Sequence, residues 1–199
     1  MSTAVTPLLS LALAVLTAAS AGFVPAYFGS RKPGYSHVRD TISELGETGS
    51  PVGGRVSYAG FIPIGVLLWL FLIVAARVVP SEAAESLWLL SLVGAGYVGG
   101  AIFRCDPGAP PFGSWQNSLH NLFGFGEYAG AAAGFAMLKE SNYWSPLSSV
   151  MEYAGGLVAV CLLGISFPHP FRGFIQRVAE TAIFVGIVLI GAWVYRSGA

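Results

Sequence analysis

Six apolar runs, each near the ~20 residues a helix needs to cross a bilayer, constrain this chain more than anything else in it. They lie at roughly 5–28, 56–79, 84–103, 119–138, 147–167 and 174–195. The connectors between them are built on helix-breaking signals such as "RKPG", "GSPVGG", "DPGAPPFGS" and "FPHPFRG". Little chain is left for a soluble domain, so residues 1–199 read as one all-α integral membrane bundle of six transmembrane helices. Composition agrees: 10 % of residues are charged, where a soluble domain carries about a quarter. The first run contains "LTAASAGF", which has the small residues of a signal-peptide cleavage site. No Lys or Arg precedes Arg31, however, so a retained span is expected and a cleaved signal is the alternative.

Ten basic and ten acidic residues balance, and nothing in their placement points to nucleic acid. Membrane lipids and a second copy of the chain are the partners to expect. Cys105 lies in a polar connector and Cys161 inside an apolar run, so the two are not expected to pair.

With six spans, both termini share one face with the second and fourth connectors, and the odd connectors lie on the other. The odd face holds Arg31, Lys32, Arg39, Arg55, Arg104, Arg172 and Arg177, against Arg77, Lys139 and Arg196 opposite. The positive-inside rule places the odd connectors in the cytoplasm, unless Arg39, Arg104 and Arg177 build a site instead. His37, His120 and His169 all fall on this face, with Asp40, Glu44, Glu47 and Asp106. Glu127 and Glu180 lie inside spans, ~10 Å below it. An ionisable group at that depth costs ~2.5–3.5 kcal/mol or more unless paired or hydrated. Both should therefore face inward, as the floor of a polar pocket at the face of connectors 1, 3 and 5. His120 and Glu127, seven apart, share a helix face. Arg177 and Glu180, three apart, are spaced to pair along their own helix.

The first connector reads "HVRDTISELG". Its Thr41 and Glu44 have capping-box spacing, and Gly46 would end the short turn. That leaves His37, Arg39 and Asp40 to bind a headgroup, hold a metal or tie connectors together. In "FRCDPG", Asp106 is either a turn former or part of the site. Cys105, flanked by charges, has no dedicated base. "FPHPFRG" holds His169 between two prolines. Gly126, Gly130 and Gly134 recur at close-packing spacing, and Trp115, Tyr143 and Trp144 sit where interfacial anchors belong. The sequence contains no glycine-rich phosphate loop, nucleophile elbow or HExxH motif.

"RDTISELG", "FRCDPG", "LHNLFG" and "FIQRVAE", in this order along nearly the whole chain, resemble a prokaryotic multi-span membrane family known as domain of unknown function 998. The resemblance implies a six-helix protein of the prokaryotic cell membrane with no settled activity. It directs attention to Arg39, Asp40, Ser43, Glu44, Arg104, Asp106, His120 and Arg177. The chain is more distantly similar to the seven-span hydrolase superfamily that includes alkaline ceramidases, whose members bind zinc through three histidines assisted by an aspartate and a serine. That similarity implies zinc at His37, His120 and His169, with Asp40, Ser43 and Asp106 nearby; the paired His-x-x-x-His of that group is missing here. A slighter similarity is to six-span regulators of the autophagy-modulator type, which carry a comparable acidic segment after the first span.

Three functions follow as expectations. One is lipid or amphiphile handling, with a headgroup held by Arg39, Arg104 and Arg177. Another is metal-dependent lipid hydrolysis, with Asp40, Asp106 or Glu127 as the catalytic carboxylate. The last is a small proton-coupled carrier titrating at Glu127.

Overall fold

A computed structural model describes residues 5–198. Six long helical segments make up the molecule: α1 (Val5–Gly29), α2 (Gly53–Ala76), α3 (Ser81–Ile102), α4 (Trp115–Met137), α5 (Ser145–Ile165) and α6 (Arg172–Ser197). No strand occurs among the described residues. Five segments are long and apolar enough to cross a membrane by length and composition: α1, α2, α3, α6 and Asn142–Ile165, which contains α5. The expected span at 119–138 does form a helix, α4, of 23 residues. Its length matches the others, but Asn117, His120, Asn121 and Glu127 lower its apolarity, so five of the six expected spans meet that standard.

Each helix packs on its neighbours in sequence, and α1 packs on α6, closing the six into a ring. Short connectors make successive helices antiparallel. The ring's interior is filled by fully buried side chains, among them Leu68 and Phe71 of α2, Leu90 of α3, Phe135 of α4, Met151 of α5 and Ile187 of α6. Its outside is also apolar, with Leu16, Phe23, Ile73, Val160 and Leu163 exposed. A helix apolar all round belongs in lipid or a large core.

Lipid is as apolar as leucine, so close fit must hold such helices together. Gly130 and Gly134 of α4 lie against Leu92 and Leu90 of α3. Phe135 seats its ring where Gly186 of α6 leaves room. Gly126, the third member of the expected series, faces open space. Residues Ser57–Phe61 of α2 form a π-helical turn. Pro63 has no N–H to give the Ala59 carbonyl and its ring would crowd that group; the wider turn relieves both. That turn also aims Phe61 inward, edge-on to Tyr97.

Trp115 is exposed, as an interfacial anchor should be. Trp144 is not such an anchor: it is fully buried, and its indole N–H donates to the Ala83 carbonyl at 3.1 Å. On the odd-connector side, the first connector lies across the start of α6. The Gly173 and Phe174 N–H groups, orphans of a helix N-terminus, donate to the Arg39 and Val38 carbonyls at 3.2 and 2.8 Å.

Candidate functional site

The connectors are tied to one another by their charged residues. Thr41 and Glu44 make the expected capping box: the Thr41 N–H donates to Glu44 Oε1 at 2.9 Å, and the Glu44 N–H to Thr41 Oγ1 at 3.3 Å. This sets the 3-10 turn Ser43–Leu45 and points Ser43 toward the ring's interior. Lys32 pairs with Glu47 at 2.6 Å, and Glu47 Oε2 accepts the Gly108 N–H, joining the first connector to the third. Arg104 donates to the Gly46 and Glu47 carbonyls at 2.6 and 2.9 Å.

Asp40 closes the turn before the capping box. It accepts the Ser36 N–H at 2.8 Å and pairs with Arg39 at 2.6 Å. Partial burial works against its ionisation, but the Arg39 guanidinium and the Ser36 N–H outweigh it and hold the carboxyl below its usual range. Asp106 accepts both the Ser114 N–H and its hydroxyl, closing the loop that leads into α4 and holding its own pKa down in the same way. The Cys105 thiol points at the Ser43 carbonyl, and burial pushes it up to about 12, so it is not a nucleophile at neutral pH.

Beneath this lattice lies a buried polar network. Glu180 of α6 accepts two phenolic O–H groups, from Tyr128 at 2.6 Å and from Tyr97 at 2.7 Å, one on each carboxyl oxygen. Gln176, one turn earlier on α6, donates to the Tyr128 oxygen at 2.9 Å and accepts the Ile42 N–H at 2.6 Å. The connector is thereby joined to the network. Glu127 of α4 abuts Glu180, the two carboxyls in hydrogen-bonding range of each other, and no other side chain of the described residues bonds it.

Two cavities reach this network from the odd-connector side. The upper, of about 250 Å³, lies between Thr41, Ser43, Pro111, Phe125, Ile165 and Arg172. The deeper, of about 40 Å³, is bounded by Phe61, Tyr97, Glu127 and Glu180. Ser43, His120, Gly124, Tyr128 and Gln176 line both. A separate groove of about 400 Å³ runs between α1 and α6, with His37 and Arg177 along it and Glu180 at its inner wall.

Of the residues singled out in the sequence, Ser43, His120, Glu127 and Glu180 meet at these cavities. Arg39, Asp40, Glu44, Arg104 and Asp106 serve the connectors instead. The expected Arg177–Glu180 pair does not form. Arg177 donates to the Asp40 and Gly173 carbonyls and to the Tyr35 hydroxyl, while Glu180 faces the tyrosines. Tyr35, half-buried beside Arg177, is pushed up to about 12 by its loss of solvent.

The three histidines do not converge. His37 stacks edge-on against Tyr35 above Gly29, where burial and the nearby Arg177 hold its pKa below the usual value. His120 Nδ1 meets the Phe103 carbonyl at 2.9 Å. His169 uses both ring nitrogens locally, accepting the Phe171 N–H and meeting the Gly164 carbonyl. Among the described residues, no three His, Cys, Asp or Glu side chains are grouped to hold a metal ion. The expected zinc set of His37, His120 and His169 is not brought together among the described residues.

Sequence reasoning missed Tyr97, Tyr128, Gln176 and Arg172. Two of these carried a signal: Tyr128 is next to Glu127, and Gln176 is one helical turn from Glu180. No curated protein and no solved structure matches the chain. A family model described as "Protein of unknown function (DUF998)" matches residues 12–193. That covers nearly the whole ring of helices, and the chain belongs to the DUF998 family.

Proposed function

We propose that the protein is a small proton-linked membrane carrier in which Glu127 and Glu180 form the proton site. The observation that carries this reading is Glu127 itself, a buried carboxyl whose side-chain partner is a second carboxyl, Glu180. Two uncompensated negative charges side by side in a low-dielectric interior are costly, and a proton held between them removes one. Glu180 is already arranged as an acceptor by Tyr97 and Tyr128, which leaves Glu127 as the group that takes up and releases the proton. The two cavities provide its way to the odd-connector face.

The test is flux in liposomes containing a pH-sensitive dye. Glu127→Gln is expected to abolish movement driven by a pH gradient, and infrared spectra should lose one protonated-carboxyl band. Undiminished flux with an unchanged spectrum would end the reading.

One observation favours amphiphile handling as a second reading: the groove between α1 and α6 is apolar along most of its length and has Arg177 and His37 along it. Here Arg177→Gln should release co-purifying anionic lipid, read by native mass spectrometry. Neither Arg39, paired with Asp40, nor Arg104, bonded to backbone carbonyls, lines this groove, so the reading rests on Arg177.

A further inference from the structure

We infer that the two linked cavities are a binding site for a small amine, with its ammonium in the deep chamber at Glu127 and Glu180 and its apolar body in the upper one. This rests on the proton-site reading and adds the class of solute that shares the site with the proton.

Size comes first. A cavity needs ~10–15 Å³ of this kind of volume for each water-sized occupant. The deep chamber, about 40 Å³, therefore takes an ammonium with a water or two, but no bulkier head. The upper chamber, about 250 Å³, has room for a ring or a short chain. Its walls at Pro111, Phe125, Leu162 and Ile165 are apolar.

Charge and hydrogen bonding point the same way. Glu127 is 7 % exposed, faces the deep chamber and has the Glu180 carboxyl as its side-chain partner. An ammonium brings three donors and no acceptor. An anionic head in the same place would meet two carboxyls. Tyr97, Tyr128 and Phe61 add aromatic surface around the chamber, which favours a cation. The cations nearby are otherwise engaged. Arg172, in the upper wall, donates to the Ile165 and Ala109 carbonyls. Arg177 lies on the groove behind Glu180.

Exchange is balanced in charge. One ammonium entering displaces the one proton held by the carboxyl pair, and the net charge of the site, pair and occupant together, is unchanged. The titratable and charged groups facing the pair are Tyr97 from α3, His120 and Tyr128 from α4, Arg177 from α6, and His37 along the groove behind Glu180; α2 contributes only Phe61. Of these, His120 bridges the two chambers.

Phenethylamine is the probe, with phenethyl alcohol as its uncharged counterpart and tetramethylammonium as a cation too wide for the deep chamber. Thermal melting and calorimetry of the purified full chain, in two buffers of different ionisation enthalpy, read binding and proton release together. Phenethylamine should raise the melting temperature and release one proton for each molecule bound; the other two compounds should do neither. Glu127→Gln should weaken binding by about tenfold or more and eliminate proton release.

Gly124→Leu is the second variant. A Cβ at Gly124 meets nothing within 4 Å, so the added side chain fills the cavity while raising helix propensity. It should stay folded and lose amine binding. Equal stabilisation by the alcohol, or undiminished binding by Gly124→Leu, would overturn the proposal. A carboxyl band that responds to pH while the amine has no effect removes the amine alone. A band insensitive to pH removes the proton site with it.

Discussion

The two ends of the ring are built from the same helices on opposite plans. Toward the termini and even connectors, large side chains meet small ones: Phe135 against Gly186, Leu90 against Gly134, and Trp144 closed off with its N–H on the Ala83 carbonyl. Toward the odd connectors, the helices are held apart by hydroxyls, carboxyls and an amide, with open volume between them. The packed end gains stability from contact, which in lipid is what joins helices. The open end gives up contact for buried polar groups that stay tolerable only while each has a partner. Rigidity sits at one end and chemistry at the other.

The sharpest way to break this contrast is at the packed end. Phe135→Ala should cost ~3–5 kcal/mol, seen as a large fall in melting temperature, and leave the pH response of the carboxyl pair where it was. At the open end, Tyr128→Phe removes the hydroxyl that donates to Glu180 and accepts from Gln176. It should cost ~1–3 kcal/mol and alter the infrared signature of the carboxyls as well as stability.

A pair of glycines on α4 sharpens the comparison. A Cβ at Gly134 lies 2.8 Å from Leu90, so Gly134→Ala should destabilise by ~1–3 kcal/mol through overpacking. Gly124→Ala enters open space and should be neutral or stabilising by up to ~1 kcal/mol. Equal effects at the two positions would mean that both ends are packed alike.

The smallest effect concerns the connectors. The folded chain lowers the pKa of Asp40 and of Asp106. Their stabilisation is therefore present above the unfolded value near 4 and lost as pH falls through the lowered folded values. Acid below about pH 4 should loosen the odd connectors, seen as faster amide exchange in residues 36–48 and 105–114. Asp106→Asn should remove the part of that acid response that belongs to the third connector.

What the sequence disclosed follows interaction range. Thr41 and Glu44 are three apart, and their capping box was readable as spacing alone. Glu127 and Glu180 were readable as inward-facing because ionised groups in lipid have few other places to go. Their partners were not: Tyr97 lies 83 residues from Glu180, and Ile42 lies 134 from Gln176. No local pattern encodes such separations. The arginines misled for a related reason. A guanidinium is visible in a sequence, whereas the backbone carbonyls that Arg104 and Arg172 bind become partners only after the chain has folded.

Gly173 carries a consequence for substitution. A Cβ placed there would lie 2.2 Å from the Asp40 carbonyl oxygen and within 3 Å of two more of its backbone atoms, none of which is the yielding tip of a side chain. In a library randomised at position 173 and sorted for folded protein, glycine should be nearly the only survivor. The same library at position 124 should return many residues. Two helices of the odd-connector end would then display a strict and a tolerant position, one set by a backbone that cannot retreat and the other by an empty volume.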